Sequence, residues 1–231
     1  MNFARWEPVY ETILADFGFD RVSDERARDI LADICADVSG ALDRLAVDGL
    51  TVAIAGGAPS LPDELDRVTG ADAVFAAGAA APTLADAGVA VDCIVTDLDT
   101  APDRAVEAAR RGTPVAAHAH GDNIPAVREY GPGLAEGAVI PTTQAAPVGP
   151  VHNFGGFTDG DRAAFLADAL GAGELRFPGW AFEDPDVGRM KARKLVWAER
   201  LLCWLERRRG ERFDVLEGRR EAVDLGAIPD A

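Results

Sequence analysis

The chain has 231 residues, of which 48% are apolar, and its formal net charge is −16. This length allows one large domain with a sizeable core, and such an acidic surface repels nucleic-acid phosphates and anionic lipids, so neither is expected as a partner. The excess of Asp and Glu, with lysine only at Lys191 and Lys194, is typical of proteins from halophilic organisms, because molar salt shortens the Debye length to about 3 Å.

Two further features of the composition bear on location. No apolar run approaches the ~20 residues that a membrane span needs, and the N-terminal residues carry acids and a proline where a signal peptide has a basic and then an apolar stretch. A cytoplasmic protein is therefore expected. Cys35, Cys93 and Cys203 lie far apart in apolar surroundings, which favours reduced core thiols over disulfides or a zinc site.

The N-terminal part of the chain is expected to be helical. The pattern predicts a short helix over residues 8–17 and then one amphipathic helix of about six or seven turns that begins near Ser23. Its apolar positions are Ala27, Ile30, Leu31, Ile34, Val38, Leu42 and Leu45. We expect residues 1–48 to form a helical segment packed on the core and residues 49–231 to form an α/β catalytic domain, together one compact unit.

From Thr51 onward, short apolar runs alternate with longer mixed stretches. The runs predict strands within 51–56, 72–78, 91–97, 113–121, 138–144 and 173–179. Helices are predicted near 60–69, 81–87, 101–111, 122–130, 159–170 and 186–209, and residues 131–156 contain the one long loop system. This alternation predicts an open, mainly parallel, Rossmann-like sheet with helices on both faces and a long C-terminal helix.

Asp97 and Asp99 follow an apolar run in the stretch VTDLDT. In extended geometry, residues i and i+2 point to the same face, and two carboxylates held together favour a cation such as Mg²⁺. The alternative is that Asp97 caps the next helix and Asp99 is a solvated acid of its first turn. We favour the metal site, because a buried strand leads directly into the pair.

Further polar residues follow other strands, where ligands bind in parallel α/β sheets. The stretch HAHGDN holds His118, His120, Asp122 and Asn123, which could contact phosphate or water, or satisfy backbone groups in the loop. The turn with Gly56, Gly57 and Ser60 could bind phosphate through backbone N–H groups, or be a tight connection between a strand and a helix.

Two segments near the C-terminus complete the candidate site. The stretch NFGGFTDGD contains Asn153, Phe154, Gly155, Gly156, Phe157, Thr158 and Asp159. Its glycines would allow the backbone to approach a flat ring. A Phe of this stretch could stack on that ring, or it could simply fill the core. Thr158 or Asp159 is expected to cap the next helix. Lys191 and Lys194 share one helix face and suggest a triphosphate site, or simply supply counter-charge.

Taken in order, these motifs resemble the archaeal 6-hydroxymethyl-7,8-dihydropterin pyrophosphokinase family. The resemblance rests on WEPVYETILADFGFD, VTDLDT, HAHGDN, NFGGFTDGDRAAFLA and KARKLVWAERLL, so it spans nearly the whole chain. That family is similar to the catalytic domain of thiamine pyrophosphokinases, with its Asp-x-Asp at a strand end and later Thr-Asp. The chain departs from the pattern at FPGWAFEDPD, where a Gly-Met-Asp-like turn is expected, so Trp180 and Phe182 are expected to reshape the pocket.

The resemblance implies transfer of the β,γ-diphosphate of ATP to the hydroxymethyl group of a reduced pterin, with Mg²⁺ and release of AMP, in folate or methanopterin biosynthesis. It implies that Asp97 and Asp99 hold the metal, and that Asp122 or His120 accepts the proton. We expect Gly56, Gly57, Ser60, Lys191 and Lys194 to bind ATP, and residues 153–156 with Thr158 and Asp159 to bind the pterin.

Three alternatives to this function stay open from the sequence. They are a pyrophosphokinase acting on thiamine or another alcohol, a phosphatase of the haloacid dehalogenase type, and a non-catalytic nucleotide-binding module. The phosphatase is considered because the stretch DLDT is similar to the nucleophile motif of that class. The dehalogenase motif requires Thr or Val where this chain has Ala101, which counts against that alternative. A homodimer through the apolar faces of the terminal helices also stays open.

Overall fold

The computed structural model describes residues 1–228. Its α-helices are α1 (Phe3–Phe17), α2 (Arg21–Ile34), α3 (Leu65–Thr69), α4 (Ala81–Asp86), α5 (Pro102–Arg110), α6 (Ile124–Ala135), α7 (Asp159–Ala169) and α8 (Arg189–Arg209). Its strands are β1 (Thr51–Ala55), β2 (Ala73–Ala77), β3 (Cys93–Thr96), β4 (Val115–Ala119), β5 (Val139–Thr143) and β6 (Glu174–Arg176). Short 3-10 turns lie at Leu42–Arg44, Leu61–Glu64, Gly121–Asn123 and Asp214–Leu216.

The six strands form one sheet in the order β5-β4-β3-β2-β1-β6. Every pairing is parallel, for example β3 with β4, where Val95 is opposite Ala116. The predicted α/β class, the parallel sheet and the long C-terminal helix are therefore confirmed. Because all the strands run in one direction, their carboxyl ends meet at a single edge, where ligands bind in such sheets.

Helices cover both faces of the sheet. One face packs against α1, α7 and α8, and its core includes Trp6, Phe75, Phe165 and Trp197. The other face carries two smaller apolar clusters, one built with α2, α5 and α6 and the other with α3 and α4. Strands buried on both sides are apolar throughout, which is why the sequence pattern located them.

The long N-terminal helix predicted from Ser23 to Leu45 is wrong. Helix α2 begins after its N-cap Asp20 and ends at Ile34, and the chain then turns through Gly40, whose φ is 80°. The helical spacing gave a wrong prediction because the apolar residues before and after this turn pack on opposite faces of the sheet. Leu31 packs with α5 and α6, whereas Leu45 packs in the core on the opposite face. The first helix is also longer than predicted, because α1 begins at Phe3 and contains Pro8.

Both N-terminal helices take part in the cores, since Tyr10 and Ile13 of α1 are buried in one cluster and Ala27 of α2 in another. Cys35, Cys93 and Cys203 are buried and free, as predicted. Within residues 1–228, none of the helices is both long enough and apolar enough to span a bilayer.

Candidate active site

Three carboxylates converge at the carboxyl edge of the sheet. Asp97 and Asp99 follow β3, and Asp159 is the first residue of α7. One oxygen atom of each lies within 4.8 Å of the others. A hard cation such as Mg²⁺ prefers oxygen ligands, and three carboxylates at this spacing can share one ion. The donor set therefore fits the metal that the sequence predicts, and it adds Asp159, which the sequence predicted for substrate binding.

A tight turn brings Asp97 and Asp99 together. Leu98 (φ 67°) and Ala101 (φ 48°) are left-handed, and they are the non-glycine residues with positive φ in the described part of the chain. The backbone N–H of Asp99 donates to Oδ1 of Asp97 at 3.3 Å. The acids thus meet in a turn and not, as their spacing predicted, along an extended strand. Strained backbone of this kind is concentrated at functional sites.

The start of α7 fixes the position of Asp159. Thr158 is the N-cap, as predicted, and Asp161 accepts hydrogen bonds from its backbone N–H and its hydroxyl at 3.1 and 2.7 Å. Asp161 therefore completes the capping box with Thr158, whereas Asp159 faces the other acids. A Cβ atom at Gly78 would lie 3.0 Å from Oδ2 of Asp159 and 2.8 Å from Oγ1 of Thr96. The close approach of backbone and carboxylate requires glycine at this position, which the sequence did not reveal.

The three acids do not ionise equally. Burial and the charge of Asp97 raise the pKa of Asp159 well above its ordinary value, and they also raise the pKa of Asp99. Burial opposes ionisation of Asp97 too, but the hydrogen bond from His120 and the charge of Arg162 outweigh it, so the pKa of Asp97 is lowered. Burial and mutual repulsion thus oppose full ionisation of the cluster, and a cation would relieve that repulsion.

His120 orients Asp97. Its Nε2 atom is 3.4 Å from Oδ2 of Asp97, and its Nδ1 atom accepts from the backbone N–H of Asp122 at 3.4 Å. Because Nδ1 is an acceptor, Nε2 carries a proton that it donates to Asp97. The Asp122 carboxylate is exposed, and it lines a cavity of about 250 Å³ together with His120 and Phe19. Of the two candidate proton acceptors, His120 therefore contacts the cluster and Asp122 lies beside His120 along the cavity.

Behind the acids, a chain of buried polar groups begins at Arg162. Its guanidinium lies 3.4 Å from Oδ1 of Asp159 and donates to Oε1 of Gln144 at 3.3 Å. The amide nitrogen of Gln144 in turn donates to Oδ2 of Asp24 at 2.7 Å. A buried cation thus faces the acid cluster and is itself held by groups farther from the site.

Asp24 of α2 is the hub of this chain, with only 3% of its surface exposed. Besides Gln144, it accepts the hydroxyl of Tyr10 at 2.8 Å and the backbone N–H of Gly121 at 2.7 Å. One carboxylate thus connects both N-terminal helices to the loop that carries His120. In the sequence, Asp24 has the appearance of an ordinary acid in the first turn of a helix. Arg162 was easier to find from the sequence than Asp24, because it follows Asp159 by three residues and so lies on the same side of α7.

Asn123 and His118 organise the ends of two neighbouring strands. The amide nitrogen of Asn123 donates to the carbonyl oxygens of Asp97 and His118, both at 2.7 Å. His118 is buried, and its Nδ1 atom lies 3.1 Å from Oγ1 of Thr142. Burial and the charge of Arg162 lower the pKa of His118 well below its ordinary value, so the ring is neutral. The two residues are therefore part of the scaffold that holds Asp97.

The two lysines of α8 differ in their surroundings. Lys194 is half-buried, its charge partly offsets the rise in the pKa of Asp99 that burial and Asp97 cause, and its Nζ atom lies 5.9 Å from the centre of the Phe157 ring. Lys191 is exposed. The structure thus brings Lys194 to the acid cluster, and Lys191 lies farther out on the same helix.

The Gly56–Gly57 turn, predicted to bind ATP, packs against another loop. The backbone N–H of Gly56 donates to the carbonyl of Pro178 at 2.9 Å, and a Cβ atom at Gly56 would lie 2.8 Å from the Trp180 ring. Ser60 is exposed, and its hydroxyl donates to Glu64 at 2.8 Å. Trp180 also donates to the carbonyl of Ile54 at 2.8 Å. The N–H of Gly56 is therefore engaged, and Trp180 braces this turn.

The glycine-rich loop before α7 is mostly held by its own contacts. The side chain of Asn153 donates to the carbonyl oxygens of Gln144 and Ala145 at 2.9 and 2.7 Å. Phe154 is half-buried and stacks on His152, with ring centres 5.5 Å apart. Gly155 and Gly156 both have left-handed φ values, 91° and 92°. Phe157 is buried among Phe17 and Phe19, so for this residue the core role applies.

Comparison with known proteins gives a consistent result. A family model described as 6-hydroxymethylpterin diphosphokinase MptE-like matches residues 31–186. A protein of Methanothermobacter thermautotrophicus named 6-hydroxymethyl-7,8-dihydropterin pyrophosphokinase is 42% identical over 90% of this chain and 96% of the relative. Proteins with the same name from Pyrococcus furiosus and Methanocaldococcus jannaschii are 34% and 32% identical, each over 89% of this chain and over 95% and 96% of the relative.

Proposed function

We propose that this chain, which belongs to the MptE-like family of 6-hydroxymethylpterin diphosphokinases, transfers the β,γ-diphosphate of ATP to 6-hydroxymethyl-7,8-dihydropterin. The acceptor is the hydroxymethyl oxygen of the pterin, and AMP is the leaving group. Support comes from three relatives that carry the pyrophosphokinase name and align with nearly the whole chain.

The observation that carries this proposal is the cluster of Asp97, Asp99 and Asp159, whose oxygens lie within 4.8 Å of one another. The pKa values support a cation there, since burial and repulsion raise the pKa of Asp99 and Asp159. Bound there, Mg²⁺ would neutralise charge on the diphosphate as it is transferred. The fit of this oxygen-rich donor set to a hard cation supports Mg²⁺ as the cofactor.

The surrounding residues have distinct electrostatic tasks. His120 and Arg162 keep Asp97 ionised, so that one ligand is ready at neutral pH. Arg162 also lies against Asp159, which limits the repulsion among the acids. Lys194 faces the same cluster and would bind phosphate oxygens. This arrangement is suited to positioning a polyphosphate and stabilising its charge, which is most of what phosphoryl-type transfer requires.

In the transfer, the hydroxymethyl oxygen attacks the β-phosphorus, the bond between that phosphorus and the oxygen bridging to the α-phosphate breaks, and the hydroxyl proton must leave. We assign the proton to Asp122. Both ring nitrogens of His120 are engaged, whereas the Asp122 carboxylate is exposed beside the cavity near Phe19.

The test is AMP formation from ATP in high KCl with Mg²⁺, comparing the reduced pterin, thiamine and no acceptor. The proposal expects AMP and the pterin diphosphate only with the pterin. AMP formed with thiamine but not with the pterin would overturn the substrate assignment. ATP binding without AMP formation, with any of the acceptors, would overturn the enzymatic role.

A further inference from the structure

A groove of about 270 Å³ lies between α4 and α5 and reaches the acid cluster. Its floor is apolar, formed by Ile94 of β3 and by Ala105 and Ala108 of α5, each less than a tenth exposed. Pro82 and Ala85 of α4 form the opposite wall. The groove is therefore a slot with a buried, apolar floor and an open mouth.

The groove exists because the helical cover is thin above β3. Helix α4 has only six residues, and each of the two helices contributes two alanines to the lining, Ala81 and Ala85 from α4 and Ala105 and Ala108 from α5. The two apolar clusters on this side of the sheet end here, with Leu84 in one and Ala105 in the other. Small side chains on a rigid scaffold leave a space that is already formed, as most ligand pockets are.

One end of the groove adjoins the acids. Gly78, Thr96 and Thr100 line that end. Gly78 lies against Asp159, since a Cβ atom on this glycine would be 3.0 Å from Oδ2 of Asp159, and Thr100 directly follows Asp99 in the chain. A ligand whose phosphates lie on the acid cluster would therefore extend its remaining part directly into the slot.

Charge in the groove is confined to its rim. The guanidinium of Arg104 lies 3.8 Å from the Asp86 carboxylate across the mouth, and both side chains are more than half exposed. Exposed pairs of this kind contribute little stability, so Arg104 is free to turn over a ring in the slot. The groove is lined by two carboxylates, Asp86 and Glu107, and both are exposed, so the buried floor offers none to the donor edge of a 2-amino-4-oxo pterin. A purine, which can be held by its apolar faces, suits this lining better.

We propose that this groove binds the adenine ring of ATP, with Arg104 stacking over it at the mouth. The volume fits a ring system and not a whole nucleotide, because pockets for drug-sized ligands begin at about 300 Å³. The inference rests on the proposed function, since it presumes that the phosphates of ATP occupy the acid cluster. It adds the location of the base, which determines the specificity for the nucleotide.

The test fills the groove without touching the acids. Ala85→Phe places a ring in the slot from its exposed wall, and Ala87→Phe is the matched control, because Ala87 lies on the same helix end but outside the groove lining. Calorimetry in high KCl with Mg²⁺ would measure Kd for ATP and for inorganic tripolyphosphate. We expect Ala85→Phe to raise the Kd for ATP at least about tenfold and to leave tripolyphosphate binding unchanged. The control should change neither value, and Arg104→Ala should weaken ATP binding alone by a few-fold.

Three results would overturn the inference: an unchanged Kd for ATP in Ala85→Phe, equal weakening of ATP and tripolyphosphate, or a rise in KM for the pterin in place of ATP. Failure of the proposed function has a different signature. The wild-type protein would then form no AMP with the pterin, and the selective loss of ATP binding in Ala85→Phe would still support the adenine site.

Discussion

Replacing Asp24 by Ala tests the buried chain of hydrogen bonds that connects the N-terminal helices to the acid cluster. The substitution removes the acceptor for Tyr10, Gln144 and the backbone N–H of Gly121. Each buried group left without a partner costs about 1–3 kcal/mol, and because such costs are not additive we expect a loss of roughly 4 kcal/mol. That is a large share of the ~5–15 kcal/mol by which domains are stable.

Urea unfolding in high KCl would measure this loss. Asp20→Ala is the matched control, because Asp20 also accepts hydrogen bonds at the start of α2 but is exposed. Removing an exposed N-cap costs about 1 kcal/mol. The control separates the cost of an unfavourable helix start from the cost of breaking the buried chain. Equal losses for the two variants would refute the reasoning, because Asp24 would then act only as a helix acid.

Asp24→Asn extends the same test to the site. Asparagine keeps the shape but has one acceptor oxygen where Asp24 has two. Its NH2 group therefore faces either the N–H of Gly121 or the amide nitrogen of Gln144, and in the second case Gln144 must lose this bond or turn its amide group over. Turning over would direct its nitrogen at Arg162, which currently donates to its oxygen. We expect a lower kcat with a smaller loss of stability than in Asp24→Ala. An unchanged kcat would show that Asp24 does not position the reacting groups through Gly121 or through Gln144 and Arg162.

Further predictions concern the acids and their neighbours. Because burial and the charge of Asp97 raise the pKa of Asp159, the folded state binds more protons than the unfolded state between the two pKa values. In EDTA, stability should therefore fall as the pH rises through that window, from about pH 4 upward, and Asp159→Asn should reduce the fall; urea midpoints measured across this range would check it. Gly78→Ala, which places a Cβ atom 2.8 Å from Thr96 Oγ1, should lower both stability and activity, the stability by about 1–3 kcal/mol. Gly188→Ala, where a Cβ atom meets nothing within 4 Å, should cost less stability, since it changes only the N-cap of α8. In steady-state assays of ATP use, Lys194→Ala should raise KM for ATP about tenfold. Lys191→Ala should raise it far less, because Lys194 lies nearer to Asp99 than the exposed Lys191 does.

The sequence predicted the sheet well for a physical reason. Strands buried on both faces must be apolar throughout, so each short run between helices marks a strand of the parallel sheet. The N-terminal helix was predicted too long because helical spacing shows that residues share a side but not which layer they enter. Leu31 and Leu45 have compatible spacing, yet they pack on opposite faces of the sheet.

The site was partly predictable. Asp97 and Asp99 stood out because two acids follow an apolar run, although a left-handed Leu98 and not an extended strand brings them together. Asp24 and Gln144 could not be found in this way, since their role depends on burial by contacts distant in the chain. Their separation of 120 residues leaves no local pattern in the sequence.

The central claim is that the acid cluster supports diphosphate transfer from ATP to a reduced pterin. The most direct measurement is the rate of AMP formation with ATP, 6-hydroxymethyl-7,8-dihydropterin and Mg²⁺, for the wild-type protein and for Asp97→Asn. The account predicts pterin-dependent AMP formation by the wild type and a loss of at least about a hundredfold in the variant, with folding unchanged by circular dichroism. Near-normal AMP formation by Asp97→Asn at saturating Mg²⁺ would contradict it.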